Sequence, residues 1–349
     1  MLPFLKLRRV GPIGVDLGSR SVKMVQFSAD RKELIAAGRW EIPAATSPEK
    51  HAEQAVAVIR RGLSERKFVG RDVVLCLGDK ELVLQNLRVP KSEGEELDRN
   101  VAKEAAGRIP FGVEEAEIRF VESADVRQGD ALMREVIVFA CHRPILQRSL
   151  DLFAQCELQP RAVDVEPAAL VRCYAMQFRR QEDTQDRSMI LHMGHQRTAV
   201  VIAQGEEMLF VKYIEIGGTN LDSAVASHLR MGVKEAAALR RHSGDRRADL
   251  QDPEVMRTVY EASRGVIDRL GSKLALCVRY HSVTFRGQPL ARVVLGGGEA
   301  TPQLAEAIGK VLNMKCELSD PFRAMPAQRE IGRRGLWDVS AGLALREVK

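Results

Sequence analysis

Hydrophobic and polar positions alternate near the start of the chain, and this period of two is typical of half-buried β-strands. Ile13, Val15 and Leu17 share one face of the first predicted strand, while Asp16 lies on the other face. A Gly-Ser turn leads into a second strand, and the alternation over residues 34–42 predicts a third. We therefore expect the chain to open with a three-stranded meander.

A helix and a fourth strand complete this first layer. Ser47 is a typical N-cap residue, and Pro48 suits the first helical turn. The apolar stripe that follows at helical spacing consists of Ala52, Ala55, Val56, Ile59 and Leu63. Together with a strand over Val73–Leu77, the pattern predicts one half of an α/β fold.

Residues 82–142 break this rhythm, because they predict a strand, a charged helix and two further strands around the segment Ile109-Pro110-Phe111-Gly112. We interpret them as a small inserted α+β subdomain. The main fold resumes with an amphipathic helix over Arg143–Glu157. A short strand over Ala162–Val165 then runs into a helix at Glu166 and Pro167.

The second half of the chain repeats the opening meander. After a polar segment at Arg179–Arg187, interpreted as a hinge, the predicted strands are Ser188–Met193, Thr198–Gln204 and Leu209–Ile216. Helices are expected to begin at Gly217 and Gly296 and to span Lys234–Arg241, Pro253–His281 and Asp338–Arg346, with a charged loop at His242–Asp252 and a strand at Arg292–Leu295. The predicted domains are 10–180 with 336–349, and 186–335 with a helical subdomain at about 230–285.

Composition and charge narrow the classes of partner. A chain of 349 residues with 45% hydrophobic residues favours two globular domains. The apolar run within the segment MLPFLKLRR is too short for the core of a signal peptide, so the segment is interpreted as a flexible tail. The net charge is +6, but the basic residues are interspersed with acidic residues along the chain. Solvated helix faces explain this pattern, so no nucleic acid partner is expected. A basic surface facing anionic lipid stays open.

Two further features bear on the compartment. No apolar run is long enough to cross a membrane. The six cysteines are scattered singly without a Cys-x-x-Cys pair, which is typical of small buried side chains in a reducing cytoplasm.

The first turn carries groups that suit an anion. Gly18 has no Cβ, so backbone N–H groups can approach a phosphate closely, and Ser19 and Ser21 add hydroxyl donors. Lys23 returns a positive charge seven residues after Asp16. The pattern indicates a phosphate site, with an ordinary glycine turn in a hairpin as the alternative.

Other candidates lie at strand and helix ends. Glu166, just after a strand and before Pro167, is placed to orient a water toward a terminal phosphate, or it simply caps the helix. Gly217 and Gly218 begin a helix whose free N–H groups favour an anion. The bare backbone of Gly296–Gly298 suits a base or a ribose.

In this order the motifs resemble those of the actin, Hsp70 and sugar-kinase superfamily. Within it the chain is similar, over residues 11–347, to the PilM family of type IV pilus assembly. The segments that carry this resemblance are IGVDLGSRSVKMVQ, AAGRIPFGVEEAEIRF, AVDVEPAALVRCYA, YIEIGGTNLDSAV, VVLGGGEATPQLAEAI and AGLALR. The resemblance implies an actin-like (ribonuclease H-like) α/β fold, with two duplicated meander-and-helix halves and an inserted subdomain of the FtsA type.

The resemblance also implies ATP and Mg²⁺ as ligands bound between the halves. It assigns to them Asp16 (the metal, through water), Gly18, Ser19, Arg20, Ser21, Lys23, Gly194, Gly217, Gly218, Arg240, Gly296, Gly297, Gly298 and Glu299, with Glu166 as the catalytic candidate. Two departures weaken the case for hydrolysis. His192 stands where the second phosphate loop usually has Asp, and Ala237 with Arg240 replaces a Glu and a Lys near the ribose.

The implied partner is the N-terminal cytoplasmic peptide of a PilN-like inner-membrane protein, which makes the chain cytoplasmic and peripheral on that membrane. Other pilus assembly components and a homo-oligomer stay open. Three functions follow as alternatives: an ATP-binding scaffold of type IV pilus or related secretion assembly, an active ATPase or phosphotransferase that uses Glu166, and a nucleotide-free peptide-binding adaptor. Any ATPase activity is expected to be slow at most.

Overall fold

The computed structural model describes residues 10–78, 80–177, 185–245, 252–285, 288–323, 325 and 332–348. The described residues within 10–178, 321–331 and 337–349 form one compact unit, and those within 179–320 and 332–336 form another. We call them the first and second units. The tail predicted at 1–9 and most of the hinge predicted at Arg179–Arg187 lie outside the described residues. The domain boundaries predicted from the sequence stay a prediction.

The first unit is built on a five-stranded sheet. Its elements are β1 (Val10–Leu17), β2 (Ser21–Ser28), β3 (Leu34–Glu41), α1 (Pro48–Glu65), β4 (Asp72–Cys76), α3 (Arg143–Gln155), β8 (Gln159–Asp164), α4 (Glu166–Ala175) and α9 (Asp338–Ala344). The strand order is β3-β2-β1-β4-β8, with β1 antiparallel to β2 and parallel to β4. Ile13, Val15 and Ile59 are fully buried in the core between this sheet and α1.

A separate three-stranded sheet lies between β4 and α3 in the sequence. It consists of β5 (Val83–Pro90), β6 (Ala116–Gln128) and β7 (Ala131–His142) in the order β5-β7-β6, with α2 (Gly94–Ala106) packed on it. The apolar stripe of α2, Leu97, Val101 and Ala105, contacts Leu87 and Val138 of the sheet. These elements follow the strand, helix, strand, strand pattern of the sequence.

The second unit repeats the topology of the main sheet. Its elements are β9 (Arg187–Met193), β10 (Thr198–Gln204), β11 (Glu207–Ile214), α5 (Gly218–Leu229), α6 (Val233–Asp245), α7 (Pro253–Thr284), β12 (Leu290–Gly296), α8 (Pro302–Leu312) and β13 (Cys316–Leu318). The order β11-β10-β9-β12-β13 matches the first sheet strand for strand, including the antiparallel and parallel neighbours of its first strand. The duplication read from the sequence is therefore present in the topology.

Three elements differ from the sequence-based expectation. The helix expected to end at Arg241 continues to Asp245, so the start of the predicted loop at His242 is helical. Gly296–Gly298 do not open a helix, because Gly297 has a φ of +96° and α8 begins only at Pro302, capped by Thr301. The short edge strand β13 was not predicted.

Helix α9 packs against the backbone of two other elements of the first unit. A Cβ on Gly14 of β1 would lie 2.1 Å from the carbonyl oxygen of Ser340, and one on Gly342 would lie 1.9 Å from that of Ala169 in α4. Only glycine allows these approaches. Gly14 and Gly342 therefore let the last helix lie directly on β1 and α4.

None of the described helices is long and apolar enough to cross a lipid bilayer. All six cysteines are free, with Cys141, Cys156, Cys173 and Cys277 buried and Cys76 and Cys316 half-buried.

Candidate functional site

The first turn of each main sheet has the same construction. In the first unit the N–H of Gly18 donates to the carbonyl oxygen of Ser21 at 3.1 Å, and in the second unit the N–H of Gly194 donates to that of Arg197 at 2.9 Å. Both turns join the first strand of a sheet to its second. Because the Gly18 N–H closes the turn, other donors must serve an anion there.

The first turn is also held through its carbonyl groups. The carbonyl oxygen of Ser19 lies 3.3 Å from Nε2 of His51, and that of Arg20 accepts from the N–H of Ile42 at 2.9 Å. Ser19 is exposed, whereas Ser21 is buried. Anchoring of the carbonyls to neighbouring elements restrains the turn, and a restrained turn suits an anion site.

Asp16 and Lys23 form an ion pair directly behind this turn. The Nζ of Lys23 donates to Oδ2 of Asp16 at 2.6 Å, and the two residues are cross-strand partners on β1 and β2. Their side chains are only 15% and 10% exposed. The positive charge that the sequence assigned to an anion is thus bound to the carboxylate of the same site.

Carboxylates gather at the ends of the neighbouring parallel strands. The pKa of the Cys76 thiol, at the end of β4, lies well above its usual value because of burial and of the charges of Glu166, Asp16, Asp164 and Glu81. Glu166 and Asp16 therefore both lie within electrostatic range of the Cys76 thiol, although they are far apart in the sequence.

Asp164 is a buried carboxylate that the sequence did not single out. Its oxygens accept from Arg172 and Arg346, each at 2.9 Å, and from the N–H of Val165 at 2.8 Å. These bonds tie the strand end that precedes Glu166 to α4 and to the segment after α9. They stabilise the position from which Glu166 projects.

The glycines predicted in the second unit also lie together. The N–H of Gly218 donates to the carbonyl oxygen of Gly194 at 3.0 Å, so α5 begins against the turn between β9 and β10. A Cβ on Gly217 would lie 2.8 Å from the same oxygen. The start of α5 is fixed further by Asn220, whose Oδ1 accepts from the N–H of Gly217 at 2.9 Å.

The turn over Gly296–Glu299, at the end of β12, packs against Met193 and Gly218 of the same unit. A Cβ on Gly297 would lie 2.4 Å from the carbonyl oxygen of Met193, and the N–H of Glu299 donates to that oxygen at 3.1 Å. The side chain of Glu299 lies over Gly218, where a Cβ would meet its Oε1 at 2.2 Å. The packing of this turn therefore requires glycine at positions 218 and 297.

Arg240 of α6 is the centre of a buried ionic triad in this cluster. Asp222 accepts from its Nε at 2.8 Å and from its Nη2 at 2.7 Å, and Glu299 accepts from its Nη1. The carboxylates are 3% exposed and the guanidinium side chain 11%. Burial lowers the pKa of Arg240, but the attraction and hydrogen bonds of Glu299 and Asp222 outweigh this and raise it above its usual value.

Asp222 is the residue of this site that sequence reasoning missed. It lies 18 positions from Arg240, and Glu299 lies 59 positions away, so no local pattern connects the three. Ala237 is buried and offers no carboxylate to Arg240. Arg240 instead takes its counter-ions from α5 and from the glycine turn.

Known proteins share this architecture. The family model described as type IV pilus assembly protein PilM matches residues 14–348. The chain is similar to the solved structure of a PilM-PilN type IV pilus biogenesis complex, with 24% identity, a TM-score of 0.78 and coverage of 97% of this chain and 98% of that chain. It is also similar to the ethanolamine utilization protein EutJ from Carboxydothermus hydrogenoformans, with 13% identity, a TM-score of 0.56 and coverage of 96% and 89%. The predicted actin-like α/β fold with duplicated halves is confirmed.

Proposed function

This chain belongs to the type IV pilus assembly protein PilM family, and from that premise we propose that it is an ATP-binding actin-like scaffold that recruits a PilN-like inner-membrane protein. The observation that carries the proposal is the match to the family model over residues 14–348. The similarity to a solved PilM-PilN complex supports PilN as the class of partner. Catalysis is not needed for this role.

ATP with Mg²⁺ is the ligand that the residues fit best. In the first unit, the anchored turn at Gly18–Ser21 and Lys23 suit phosphate, and Asp16 suits the metal through water. In the second unit, Gly194 and the helix start at Gly217 and Gly218 suit an anion, and the turn at Gly296–Glu299 suits the nucleoside. Among the described residues no group of three or more His, Cys, Asp or Glu side chains can hold a metal ion. Magnesium commonly binds through one or two carboxylates, substrate phosphates and waters, so this sparse donor set suits a metal that arrives with a nucleotide.

A slow ATPase is the second candidate function, and the placement of Glu166 favours it. The charges of Glu166 and Asp16 both raise the pKa of the Cys76 thiol, so both carboxylates lie within electrostatic range of the end of β4. Against turnover stands His192, because a buried imidazole replaces a carboxylate that would help hold magnesium. We therefore place the scaffold first. The nucleotide-free adaptor becomes an outcome of the first experiment.

The partner and the location follow from the same premise. We propose that the first unit binds the short N-terminal cytoplasmic peptide of the PilN-like protein, which holds the chain at the inner membrane from the cytoplasmic side. Other pilus components and a homo-oligomer stay predictions.

The first experiment separates the three functions. Calorimetry with ATP and magnesium is run on the wild type and on Lys23→Ala, beside a phosphate-release assay on the wild type and Glu166→Gln. Saturable binding that Lys23→Ala weakens, without phosphate release, supports the scaffold. Release that disappears in Glu166→Gln supports the ATPase, and the absence of any binding leaves only the adaptor.

The second experiment addresses the partner. A synthetic peptide with the first residues of a PilN-like protein is titrated into the full chain, with and without ATP and magnesium. Saturable binding by the native peptide, absent for a scrambled peptide of equal composition, supports the partner assignment. Equal behaviour of the two peptides would refute it.

A further inference from the structure

The ion pair between Asp16 and Lys23 carries an inference about how the proposed ligands enter the site, and it rests on the proposed function. We propose that Lys23 is the resident counter-ion of Asp16, and that nucleotide and metal bind together because each alone would leave one partner of this pair uncompensated. Lys23 is thus a residue that couples the two ligands as well as a phosphate contact.

The geometry places the two charges in direct contact. The two side chains are direct cross-strand neighbours, joined at 2.6 Å and 15% and 10% exposed. Both strands lie in the middle of the sheet, where β1 is flanked by β2 and β4 and β2 by β1 and β3. Water therefore solvates each charge only in part when the two are separated, and an unpaired charge in such surroundings is costly.

Charge balance then decides which ligands enter. A metal ion alone at Asp16 releases the ammonium of Lys23 beside a second cation. Nucleotide alone attracts Lys23 and leaves the carboxylate of Asp16 beside a polyphosphate. When both ligands arrive, the metal takes Asp16 and the phosphate takes Lys23, so every charge keeps a partner.

The donor set supports the same conclusion. The described part of the chain holds no cluster of three or more His, Cys, Asp or Glu side chains suited to a metal, so a metal without phosphate has few protein ligands. The duplicated sheet provides an internal contrast. The positions of β9 and β10 that correspond to Asp16 and Lys23 are His192 and Ala199, which are cross-strand partners but not an ion pair. The device is therefore specific to the first unit.

The test measures each ligand in the absence of the other. Manganese serves as the paramagnetic probe for the metal, and its binding to the nucleotide-free full chain is followed by electron paramagnetic resonance. Lys23→Met frees Asp16 for the metal and is expected to tighten manganese binding about tenfold. Lys23→Arg restores the wild-type value. Lys310→Met, which removes one lysine from an exposed ion pair with Glu306, is the control and leaves it unchanged.

The complementary arm uses metal-free ATP in the presence of EDTA. Asp16→Asn frees Lys23 for phosphate and is expected to tighten metal-free ATP binding about tenfold, while it abolishes the gain that magnesium gives the wild type. Simple repulsion between Asp16 and the polyphosphate predicts the same tightening when Asp16→Asn is made in a Lys23→Met background, whereas the coupling predicts none there. Because this variant tests the same pair from the other side, the inference stays testable if Lys23→Met does not fold.

The outcomes separate this inference from the proposed function. Unchanged manganese affinity in Lys23→Met, or unchanged metal-free ATP affinity in Asp16→Asn, overturns the coupling while leaving nucleotide binding intact. If the wild type binds no ATP under any condition, the proposed nucleotide function fails, and the manganese arm still decides whether Lys23 blocks Asp16.

Discussion

Removal of Arg240 is the perturbation that most directly tests the buried triad of the second unit. Arg240→Met keeps the length of the apolar stem but deletes the guanidinium that neutralises Asp222 and Glu299. Both carboxylates are 3% exposed, so neither can regain water without local unfolding. Breaking a buried ion pair by removing one partner costs about 3–5 kcal/mol.

This cost translates into a measurable shift of the melting temperature. For domains of this size, 1 kcal/mol lowers the midpoint by about 2–4 °C, so Arg240→Met should melt about 6–20 °C below the wild type. The full chain has two units, for which one two-state free energy is not well defined. The readout is therefore the midpoint of the shifted transition in differential scanning calorimetry.

The triple variant Asp222→Asn, Arg240→Met, Glu299→Gln identifies the cause. It removes the stranded charges together with the guanidinium, and it should recover most of the lost stability, because a buried ionic cluster can be replaced by neutral groups at little cost. Arg257→Met, which breaks an exposed pair with Glu261 in the same unit, is the control and should cost less than about 1 kcal/mol. A triple variant that melts as low as Arg240→Met would refute the role of the uncompensated carboxylates.

Three further predictions concern single positions. Gly297→Ala should destabilise the second unit by about 1–3 kcal/mol or more, because φ is +96° and the new Cβ meets the carbonyl oxygen of Met193. Gly298→Ala is the matched control, since a Cβ there meets no heavy atom nearer than 3.9 Å. Equal melting temperatures of the two variants would contradict the packing argument. Burial, and secondarily Arg187, lower the pKa of His281 from 6.5 to about 4, so the unfolded chain binds this proton at a higher pH than the folded chain does. In denaturant titrations this contribution to the free energy of unfolding should be complete above pH 6.5 and decline toward pH 4. A His281→Gln variant whose free energy of unfolding falls as steeply with pH would exclude His281 as the cause. Thr301→Ala should cost about 1 kcal/mol by removing the cap of α8, with Thr301→Ser retaining the wild-type melting temperature.

The repeated strands were predictable because their signal is local. Alternating apolar positions and glycine turns recur within a few residues, so the strands of both halves were predicted close to their observed bounds. The Thr301-Pro302 pair also marks a helix start, yet the glycines before it drew the predicted start too early. The edge strand β13, only three residues long, has no periodicity to detect.

The partners of the site residues could not be predicted in the same way. Lys23 and Asp16 were both selected, but as separate contacts to a ligand, because seven residues of separation do not show that two strands bring them into register. Asp222 carries no sequence signal, since an acid in the first turns of a helix is common and its partner Arg240 lies on another helix. Such contacts are set by tertiary packing, which periodicity does not encode.

The packing of α9 against Gly14 and Ala169 joins parts of the chain that are synthesised at very different times. The ribosome delivers β1 and α4 before the second unit, and α9 after nearly all of it. During synthesis the first sheet is therefore made before the helix that covers part of its backbone, and the second unit emerges between them as a nearly continuous stretch of chain. The first unit is complete only when α9, near the end of the chain, packs on β1.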